Sequence, residues 1–563
     1  MDRYNTIVLG TLPLCIPFFT MTESPSHEPL IPIRQMLRAC RKLPKFLKFA
    51  DSTGVELDGA NTLLRSLVFR RILRRTLASD EQNVGLLMPT SAYGAIANLA
   101  LGLDCRTSVN LNYTFSRETM NYCIRHAGIK HVVTSRRVLE RFPDLKLDAE
   151  LLVMEDLGKA VSLIDKLTAF VYAHLTPIPL LEWKFELASL QLDDVLTIIF
   201  TSGSTGMPKG AMITHRCVAA NIKAFNDLLS LQPDEKILGA LPLFHAFGYT
   251  VTFWLPAMTA GLGGVFHFNP LEPKKIGELA RKYRCVAVPT TPTFLRGLLR
   301  RCPKEDFEHA QIVIGGAEKL PLDLIDAWGA KYGHRPVEGY GATELTPVVC
   351  VNVPPGRRPG DESWLKEGTI GRPFPELQAR VVDPDSDEIR VLPPDTPGML
   401  QIKGPSVMKG YYKDPEKTAA VLKDGWYTTG DIATIDTDGF IRITGRQSRI
   451  SKIGGEMVPH ILIEEAIEGI VRESDAADSE KEGVSIAVSA IPDERKGERL
   501  IILHVGLSKT PDEICKVLQN KGLPNLWIPS PHDFHQVETI PLLGTGKLDL
   551  RAVKELATKI AEK

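Results

Sequence analysis

The chain has 563 residues, of which 44% are hydrophobic and 24% are charged, a composition typical of a globular protein. Its length exceeds what one ordinary hydrophobic core accommodates and predicts roughly two to four structural units. Lys and Arg total 67 and Asp and Glu total 68, so the formal net charge of -1 gives no global reason to expect a nucleic-acid partner.

The apolar stretch at residues 7–19 does not have the features of a targeting or membrane segment. It is too short to span a bilayer, Pro13 and Pro17 interrupt it, and Asp2 lies where a signal peptide carries positive charge. A working chain that begins at Met21 is an alternative interpretation. The 9 cysteines include no Cys-x-x-Cys pair, which indicates free thiols in a reducing compartment. We therefore expect a cytoplasmic protein.

Two N-terminal stretches combine apolar residues with many basic ones. From Leu63 to Leu73 the apolar residues recur at helical spacing beside a cluster of arginines, which predicts an amphipathic helix with a basic side. The stretch from Ile33 to Phe49 is also rich in Arg and Lys. Such a face suits an anionic membrane at its inner surface or an acidic carrier protein, and a solvated helix face is the alternative. The basic residues are Arg65, Arg70, Arg71, Arg74 and Arg75, and Arg34, Arg38, Arg41, Lys42, Lys45 and Lys48.

Short apolar runs then alternate with helical stretches, which is typical of an α/β fold with a largely parallel sheet. The predicted strands are 84–88, 131–134, 195–200, 236–240, 286–288 and 311–314, and residues 93–103 form a predicted helix. Turns rich in Pro, Gly and Asp predict a β-rich subdomain over residues 368–446. We expect a large N-terminal domain, residues 1–448, and a smaller, mobile α+β C-terminal domain, residues 449–563.

The most informative segment follows the predicted strand 195–200. It is Thr201-Ser202-Gly203-Ser204-Thr205-Gly206-Met207-Pro208-Lys209-Gly210. Glycines let backbone N–H groups converge on an anion, hydroxyls add donors, and Lys209 supplies positive charge. The Walker A pattern does not fit, because Gly210 stands where that pattern needs Ser or Thr. The segment predicts a phosphate-binding loop of another nucleotide-binding class.

The whole segment resembles the phosphate-loop signature of the adenylate-forming enzymes, which include acyl-CoA synthetases, luciferases and amino-acid adenylation domains. This resemblance implies that Thr201, Ser202, Gly203, Ser204, Thr205, Gly206 and Lys209 bind ATP. Two further segments match in the same order. Gly315-Gly316-Ala317 is implied to lie against adenine. In Glu338-Gly339-Tyr340-Gly341-Ala342-Thr343-Glu344, the tyrosine is implied to pack on adenine, the threonine to contact the α-phosphate and act in catalysis, and Glu344 to hold Mg²⁺ and act with it.

Other matching positions extend the resemblance around the site. Asp431, after Tyr427-Thr428-Thr429-Gly430, is implied to bind the ribose hydroxyls together with Arg446, and Ile443 to lie near the nucleotide. The segment 241–248 resembles the motif that walls the acyl pocket, through His245, Phe247 and Gly248. No Asp stands there to pair a substrate ammonium group, which favours a plain carboxylic acid over an amino acid.

The C-terminal part carries three more matching positions. Lys452, Gly454 and Gly455 resemble the loop that approaches the acceptor thiol, and Arg449 takes the hinge position, where the wider family usually has Asp or Lys. Lys547, in Leu543-Gly544-Thr545-Gly546-Lys547, resembles the family's catalytic lysine. Such a lysine is needed because an anionic carboxylate attacks an anionic triphosphate.

Stretches such as Val109-Asn110-Leu111-Asn112-Tyr113-Thr114 look most similar to the acyl-ACP synthetase half of the bacterial 2-acylglycerophosphoethanolamine acyltransferase/acyl-ACP synthetases. The resemblance implies activation of a fatty acid with ATP and Mg²⁺ and transfer to acyl carrier protein. The acyltransferase half needs a His and an Asp four residues apart, and no convincing pair is present. A fatty acid–CoA ligase is the alternative within the class. A non-catalytic adenylate-binding protein and a luciferase-like oxygenase are alternatives outside it.

Overall fold

The protein is described here by a computed structural model. The description covers residues 31–201, 207–358, 362–384, 386, 388–446, 449–453, 456–474, 486–493, 495–521, 523–542 and 548–561. The predicted fold class is confirmed: large mixed sheets flanked by helices form the N-terminal part, and a smaller α+β unit follows.

The strands in chain order are β1 (Leu47–Asp51), β2 (Glu56–Asp58), β3 (Asn83–Leu87), β4 (Thr107–Asn110), β5 (His131–Thr134), β6 (Glu150–Val153), β7 (Val195–Thr201), β8 (Lys209–Thr214), β9 (Lys236–Gly239), β10 (Gly263–Phe266), β11 (Ala287–Thr290), β12 (Ile312–Gly315), β13 (Val337–Gly341), β14 (Val348–Val351), β15 (Arg372–Pro373), β16 (Gln378–Val382), β17 (Gly398–Lys403), β18 (Gly410–Tyr411), β19 (Leu422–Lys423), β20 (Trp426–Ile435), β21 (Ile441–Arg446), β22 (Ile450–Ile453), β23 (Glu456–Pro459), β24 (Ile486–Asp493), β25 (Gly497–His504) and β26 (Phe534–Gln536).

The helices are α1 (Pro32–Lys42), α2 (Gly59–Thr76), α3 (Ala92–Leu103), α4 (Arg117–Ala127), α5 (Arg136–Arg141), α6 (Met154–Lys159), α7 (Leu163–His174), α8 (Ile178–Lys184), α9 (His215–Leu229), α10 (Leu255–Met258), α11 (Pro273–Tyr283), α12 (Pro292–Arg301), α13 (Leu322–Tyr332), α14 (Pro415–Val421), α15 (His460–Ser474), α16 (Pro511–Asn520) and α17 (Leu550–Ala561).

Two large sheets form the N-terminal part. One has nine strands in the order β15-β14-β13-β12-β11-β9-β10-β1-β2, and the other has seven in the order β18-β8-β7-β4-β3-β5-β6. The pairings from β1 through β10, β9, β11 and β12 to β13 are parallel, and β13, β14 and β15 pair antiparallel. Central strands such as β12 are buried along their whole length. Strands covered on both faces read as continuous apolar runs, which explains why the sequence predicts them within two residues.

The β-rich part and the C-terminal part are built from separate sheets. Strands β16, β17, β19, β20 and β21 form a five-stranded antiparallel sheet within the predicted β-rich subdomain. The C-terminal part contains the pair β22–β23 and the sheet β24-β25-β26, with α15, α16 and α17 packed nearby. The boundary predicted after residue 448 falls between β21 and β22 and stays a prediction.

The stretch from Ile33 to Phe49 is not one basic surface. Helix α1 ends at Lys42, and β1 begins at Leu47 within the nine-stranded sheet. Lys48 is only 1% exposed, and its ammonium donates to three backbone carbonyls, those of Pro256, Thr259 and Leu262, at 2.7, 2.9 and 3.0 Å. Three carbonyls satisfy all three donors of the ammonium group, which offsets the cost of its burial.

Several basic side chains of α1 and α2 bond to other parts of the same chain. Arg34 and Arg38 pair with the buried Glu182 on α8, and Arg71 and Arg75 pair with the buried Asp165 on α7. In addition, Arg41 donates to the carbonyls of Tyr172 and Thr176, and Arg70 pairs with Asp104. These arginines are therefore engaged within the chain, with carboxylate partners 34 to 148 residues away in sequence, and binding of these faces to an anionic membrane or an acidic carrier stays a prediction. Searched over the described residues, the helices include none that is both long and apolar enough to cross a bilayer.

Candidate active site

The β7–β8 hairpin carries the ends of the predicted phosphate loop. Thr201 ends β7 and pairs with Lys209, which begins β8, while residues 202–206 between them lie outside the described residues. The ammonium of Lys209 lies 4.8 Å from the centroid of the Tyr411 ring. Strand β18 brings this ring to the loop, because Tyr411 pairs with Ala211 of β8. A cation over an aromatic face is attracted by the ring, so Tyr411 helps to orient Lys209.

The glycine segment at the end of β12 lies against Phe247, one of the residues predicted to line the acyl pocket. A Cβ on Gly316 would lie 3.2 Å from Cε1 of Phe247 and 3.4 Å from the carbonyl oxygen of Gly339. The next residue, Ala317, has a φ of 69°, a left-handed conformation that is uncommon for a residue with a side chain. The structure thus brings Gly315–Ala317, Gly339 and Phe247 together in a tight arrangement, in which a side chain at Gly316 would require the Phe247 ring to shift by a few tenths of an ångström.

The end of β13 turns sharply and positions Thr343 and Glu344. A Cβ on Gly341 would lie 1.6 Å from the carbonyl oxygen of Pro347, so this position accepts only glycine. The chain then makes one turn of 3₁₀ helix from Thr343 to Leu345, and Thr346 takes a φ of 63°. The turn leaves Thr343 and Glu344 half-buried at the carboxyl end of the strand. Ligands of open α/β sheets bind at such strand ends.

Glu344 is held from two directions. Its carboxylate oxygen Oε1 accepts a hydrogen bond of 2.8 Å from the Tyr411 hydroxyl, and its backbone carbonyl accepts one of 2.8 Å from Met408. Burial, followed by the nearby Glu344 carboxylate, raises the pKa of Tyr411, so the hydroxyl stays protonated and donates. A carboxylate has about four acceptor positions, so Glu344 keeps capacity for a cation. Its oxygen chemistry fits Mg²⁺, which proteins often bind with one or two carboxylates plus substrate phosphates.

Asp431, Tyr340 and Arg446 form one hydrogen-bonded group. Asp431 of β20 lies opposite Arg446 of β21 and is 4% exposed. Its Oδ1 accepts from Nε of Arg446 at 2.6 Å, and its Oδ2 accepts from the Tyr340 hydroxyl. The Asp431 charge raises the pKa of Arg446. The pKa of the Tyr340 hydroxyl is raised mainly by burial and secondarily by the same Asp431 charge. Each Asp431 oxygen keeps a lone pair, so the carboxylate can still accept from paired hydroxyls.

Two other predicted positions flank this group. Ile443 pairs with Ala433 on the same hairpin and is half-buried. Glu338 is the second residue of β13 and pairs with Gly315, the last residue of β12. Burial raises the pKa of the Glu338 carboxyl to about 7, while its oxygen accepts a long 3.4 Å bond from the Leu320 amide.

The residues predicted to line the acyl pocket form a buried wall. Phe247 is buried and His245 is half-buried, and a Cβ on Gly248 would lie 2.3 Å from the carbonyl oxygen of Pro242. Residues Gly248–Trp254 then form a fully buried π-helix. Such helices are rare and recur at functional sites, because the wider turn displaces side chains. This π-helix could not be predicted from the sequence, because no local signal in its apolar run distinguishes it from an α-helix.

The C-terminal positions are placed only in part. Arg449 forms an ion pair with Glu464 of α15, and Glu464 also accepts a 2.7 Å bond from the Val488 amide. Arg449 is therefore bonded within the C-terminal part. Lys452 lies in β22, where it pairs with Met457. Gly454, Gly455 and the predicted catalytic Lys547 lie outside the described residues.

An ion pair links the glycine segment to the C-terminal part. Lys319, two residues after Ala317, contacts Glu465 of α15 at 2.7 Å. The pair lies beside the Glu338 carboxyl, whose pKa Lys319 lowers and Glu465 raises. The C-terminal part therefore contacts the rim of the candidate site in this conformation.

Tyr411 is the main residue that sequence reasoning missed. It connects Lys209 with Glu344, two residues that the motifs had identified separately. It belongs to a two-residue strand whose partner lies about 200 residues earlier in the chain. The adjacent Gly410-Tyr411-Tyr412 string was the available signal, but it carries no chemistry when read alone.

Similar proteins share both the sequence pattern and the fold. The long-chain-fatty-acid–CoA ligase of Bacillus subtilis (strain 168) is 30% identical over 376 residues, and that of Escherichia coli O6:H1 is 32% identical over 375 residues. Each match covers 65% of this chain and 62% of the relative, so the chain matches less than two thirds of these relatives. A feruloyl-CoA synthase of Amycolatopsis sp is 32% identical over 63% of this chain and 69% of its own length.

Solved structures resemble the protein over nearly its whole length. ATP-bound MatB from Rhodopseudomonas palustris has a TM-score of 0.77 at 25% identity, covering 94% of this chain and 99% of that one. The o-succinylbenzoate CoA synthetase of Bacillus subtilis, in complex with an acyl-adenylate, has a TM-score of 0.76 at 20% identity, covering 92% of this chain and 98% of that one. Residues 39–412 match the family described as AMP-binding enzyme. This match covers more than half of the chain, and the protein belongs to the AMP-binding enzyme family.

Proposed function

We propose that the protein activates a fatty acid with ATP and passes the acyl group to a phosphopantetheine thiol. The observation that carries the proposal is the grouping of Tyr340, Asp431 and Arg446 near the Glu344–Tyr411 pair. The first group offers acceptors for ribose hydroxyls, and the second offers an oxygen ligand near the phosphate loop. The fatty-acid ligases among the relatives support the substrate class.

The proposed reaction has two half-reactions. In the first, a carboxylate oxygen of the fatty acid attacks the α-phosphorus of ATP, and pyrophosphate leaves. In the second, the thiol sulfur attacks the acyl carbon of the adenylate, and AMP leaves. Both reactants of the first step are anions, so positive charge fixed beforehand stabilises the transition state more than it stabilises the separate reactants.

The chain's own residues supply that charge and the orientation. Asp431 and Tyr340 would hold the nucleoside, and Lys209 would contact the phosphates while the Tyr411 ring orients its ammonium. Glu344 would hold Mg²⁺, which neutralises phosphate charge when bound. Lys547 is the proposed catalytic lysine on the strength of its sequence motif, and Thr343 is the proposed α-phosphate contact.

The acceptor thiol decides between two versions of this function. Short sequence motifs favour acyl carrier protein, whereas the relatives are named as CoA ligases and support CoA better. We therefore propose CoA as the acceptor and keep acyl carrier protein as the alternative. Loop 452–455 would approach the thiol in either version, after rotation of the C-terminal domain about the hinge near Arg449.

The test is AMP formation that depends on a fatty acid, with CoA and holo acyl carrier protein assayed in parallel over acids of increasing chain length. Turnover with CoA supports the proposal. Turnover with carrier protein but not with CoA would identify acyl carrier protein as the acceptor instead. A folded protein that binds ATP but forms no AMP with either thiol would instead be a non-catalytic adenylate-binding protein.

A further inference from the structure

Helices α7 and α8 expose an unusual amount of apolar surface. Among the described residues, 15 large hydrophobic side chains are exposed, and 8 of these lie between Leu163 and Trp183. They are Leu163, Ile164, Leu167, Phe170, Val171, Leu175, Leu180 and Trp183. Single exposed apolar residues are ordinary, whereas a contiguous apolar patch marks an interaction surface. We call these eight side chains the α7–α8 apolar face.

The two faces of α7 are the reverse of those of an ordinary surface helix. Its buried residues are Asp165, Ala169 and Ala173, which recur every four residues and pack toward α2. Its large apolar residues recur on the opposite side and face solvent. A helix that only covered a protein core would bury the large side chains and expose the small and charged ones. Among the described residues nothing covers this outward apolar face.

The orientation of both helices is fixed by ion pairs on the inner side. Asp165, the third residue of α7, closes a capping box in which its carboxylate accepts from the amide and hydroxyl of Ser162, and it also pairs with Arg71 and Arg75. Glu182 of α8 pairs with Arg34 and Arg38. Turning either helix to bury its apolar side chains would break these buried pairs. The apolar face is consequently a stable feature of the fold.

The charges of the two helices indicate the partner. Between residues 163 and 184 the two carboxylates, Asp165 and Glu182, are both buried, whereas the two lysines, Lys166 and Lys184, are both exposed. The outer face thus combines large apolar side chains, an exposed tryptophan and positive charge. Amphipathic helices that lie in a membrane interface have this composition, since the apolar residues enter the lipid and the lysines contact anionic headgroups.

A cavity opens beside the same surface. Its volume is about 840 Å³, and α2, α3 and α7 contribute to its walls. Leu167 and Phe170 line this cavity and also belong to the exposed apolar face. Other walls are apolar, through residues such as Val68 and Ile72, and Arg65 adds a basic group. A lipid surface on α7 would place acyl chains next to a cavity with apolar walls.

We propose that the α7–α8 apolar face docks on a lipid bilayer that contains anionic lipids. A second copy of the chain is disfavoured, because it would bring two more lysines to the interface while Asp165 and Glu182, the carboxylates of these helices, stay buried and cannot pair with them. An acidic carrier protein is disfavoured, because charge recognition does not require eight exposed apolar side chains. The proposal goes beyond the activity proposed above and does not depend on it, since bilayer binding needs no ATP, acid or thiol.

The test is co-sedimentation of the full chain with vesicles of phosphatidylcholine alone or mixed with phosphatidylglycerol. The variant Leu163→Ser/Ile164→Ser/Leu175→Ser removes three exposed residues that do not line the cavity. The matched control replaces two leucines and one isoleucine exposed elsewhere, in Leu271→Ser/Leu322→Ser/Ile389→Ser. We expect the first variant to bind the mixed vesicles at least about 10-fold more weakly than the unchanged chain, with little change in the control.

A second pair of variants tests the charge. Lys166→Gln/Lys184→Gln should weaken binding to the mixed vesicles about 5-fold or more. Binding to vesicles of phosphatidylcholine alone, which is weaker from the start, should be nearly the same in this variant as in the unchanged chain. The control Lys274→Gln/Lys423→Gln removes two exposed lysines elsewhere. Circular dichroism and light scattering verify the fold and the oligomeric state of each variant.

Four results would overturn the proposal. The unchanged chain binds neither vesicle, or the Leu163 variant and its control bind equally well. A dimer in light scattering that the Leu163 variant alone abolishes would assign the face to a second copy instead. Loss of holo acyl carrier protein binding in that variant, with vesicle binding retained, would assign it to the carrier.

Discussion

Single side chains at the candidate site act in bonded groups rather than alone. Asp431 is a simple turn residue when read by itself, but the fold places it between a phenol and a guanidinium. Glu344 likewise depends on Tyr411 for its orientation. At the residue scale, the function of a carboxylate is therefore tested best together with the partner that holds it.

Replacement of Asp431 should weaken ATP binding. Asp431→Ala removes the proposed ribose acceptor and leaves Arg446 and Tyr340 without their common partner. We expect an affinity for ATP lower by about 10-fold or more in titration calorimetry, since hydrogen bonds to charged groups contribute about 1.5–3 kcal/mol. The control is Asp438→Ala in the turn of the same hairpin, where the carboxylate is 65% exposed. Unchanged affinity in a folded Asp431→Ala protein would contradict the assignment.

Replacement of Tyr411 should affect the metal-dependent step more than ATP binding. Tyr411→Phe removes the 2.8 Å bond to Glu344 but keeps the ring under Lys209. We expect adenylation to slow about 5- to 10-fold and to require more Mg²⁺, because the carboxylate loses its orientation. Tyr412→Phe is the matched control, since its hydroxyl bonds Asn83 instead. Equal effects of the two variants would show that Tyr411 has no special role.

Helices and strands could be predicted from the sequence where the residue pattern of a single segment determines its secondary structure. Buried strands such as β12 and the helix α3 follow from apolar runs and helical periodicity. The partners of the basic residues could not be predicted, because Arg71 meets Asp165 only after helices far apart in sequence pack together. The same limit applies to the site: motif strings identified Tyr340 and Asp431, whereas Tyr411 required the pairing of β18 with β8.

The attachment of α7 should depend on its first turn. Burial would raise the pKa of Asp165, but bonds from Ser162, Arg71 and Arg75 lower it below the usual range, so the carboxylate is charged at neutral pH. Asp165→Asn weakens both ion pairs and should lower the free energy of unfolding by about 2–3 kcal/mol. Urea unfolding measures the change, and limited proteolysis should detect earlier cleavage around α7.

The control for α7 is Asp156→Asn, which changes an exposed carboxylate of the preceding helix. It should leave urea unfolding nearly unchanged, because exposed ion pairs contribute little. A loss of stability equal to that of Asp165→Asn would show that the arginine pairs do not hold α7 in place.

The contact between β22 and the start of α15, where Ser451 meets His460, should respond to acid through His460. Burial, followed by the charge of Arg449, lowers the pKa of His460 to about 3 from 6.5. The unfolded chain binds a proton below about pH 6.5 and the folded chain does not until about pH 3, so stability falls as the pH decreases between these values. His460→Gln can keep a bond to Ser451 and should reduce this loss, as measured by unfolding at several pH values. The control His532→Gln changes an exposed histidine and should not reduce the loss of stability at low pH. An unchanged pH dependence in His460→Gln would contradict the account.

At the scale of the whole molecule, the proposed chemistry requires two parts of the chain to cooperate. The residues proposed to bind the nucleotide lie before residue 447 in the sequence, whereas Lys547 and residues 452–455 follow in the C-terminal part. The Lys319–Glu465 pair shows that the two parts touch beside the glycine segment. A single site that adenylates and then transfers would need this contact to rearrange between the two steps.

The measurement that tests the central claim most directly is exchange of labelled pyrophosphate into ATP without any thiol. The account predicts exchange that depends on a fatty acid, because the adenylate forms reversibly before the acceptor binds. Lys547→Ala should abolish this exchange while sparing thiol transfer from preformed acyl-adenylate. An unchanged chain that binds ATP and fatty acid but shows no exchange, or a Lys547→Ala protein that exchanges normally, would contradict the account.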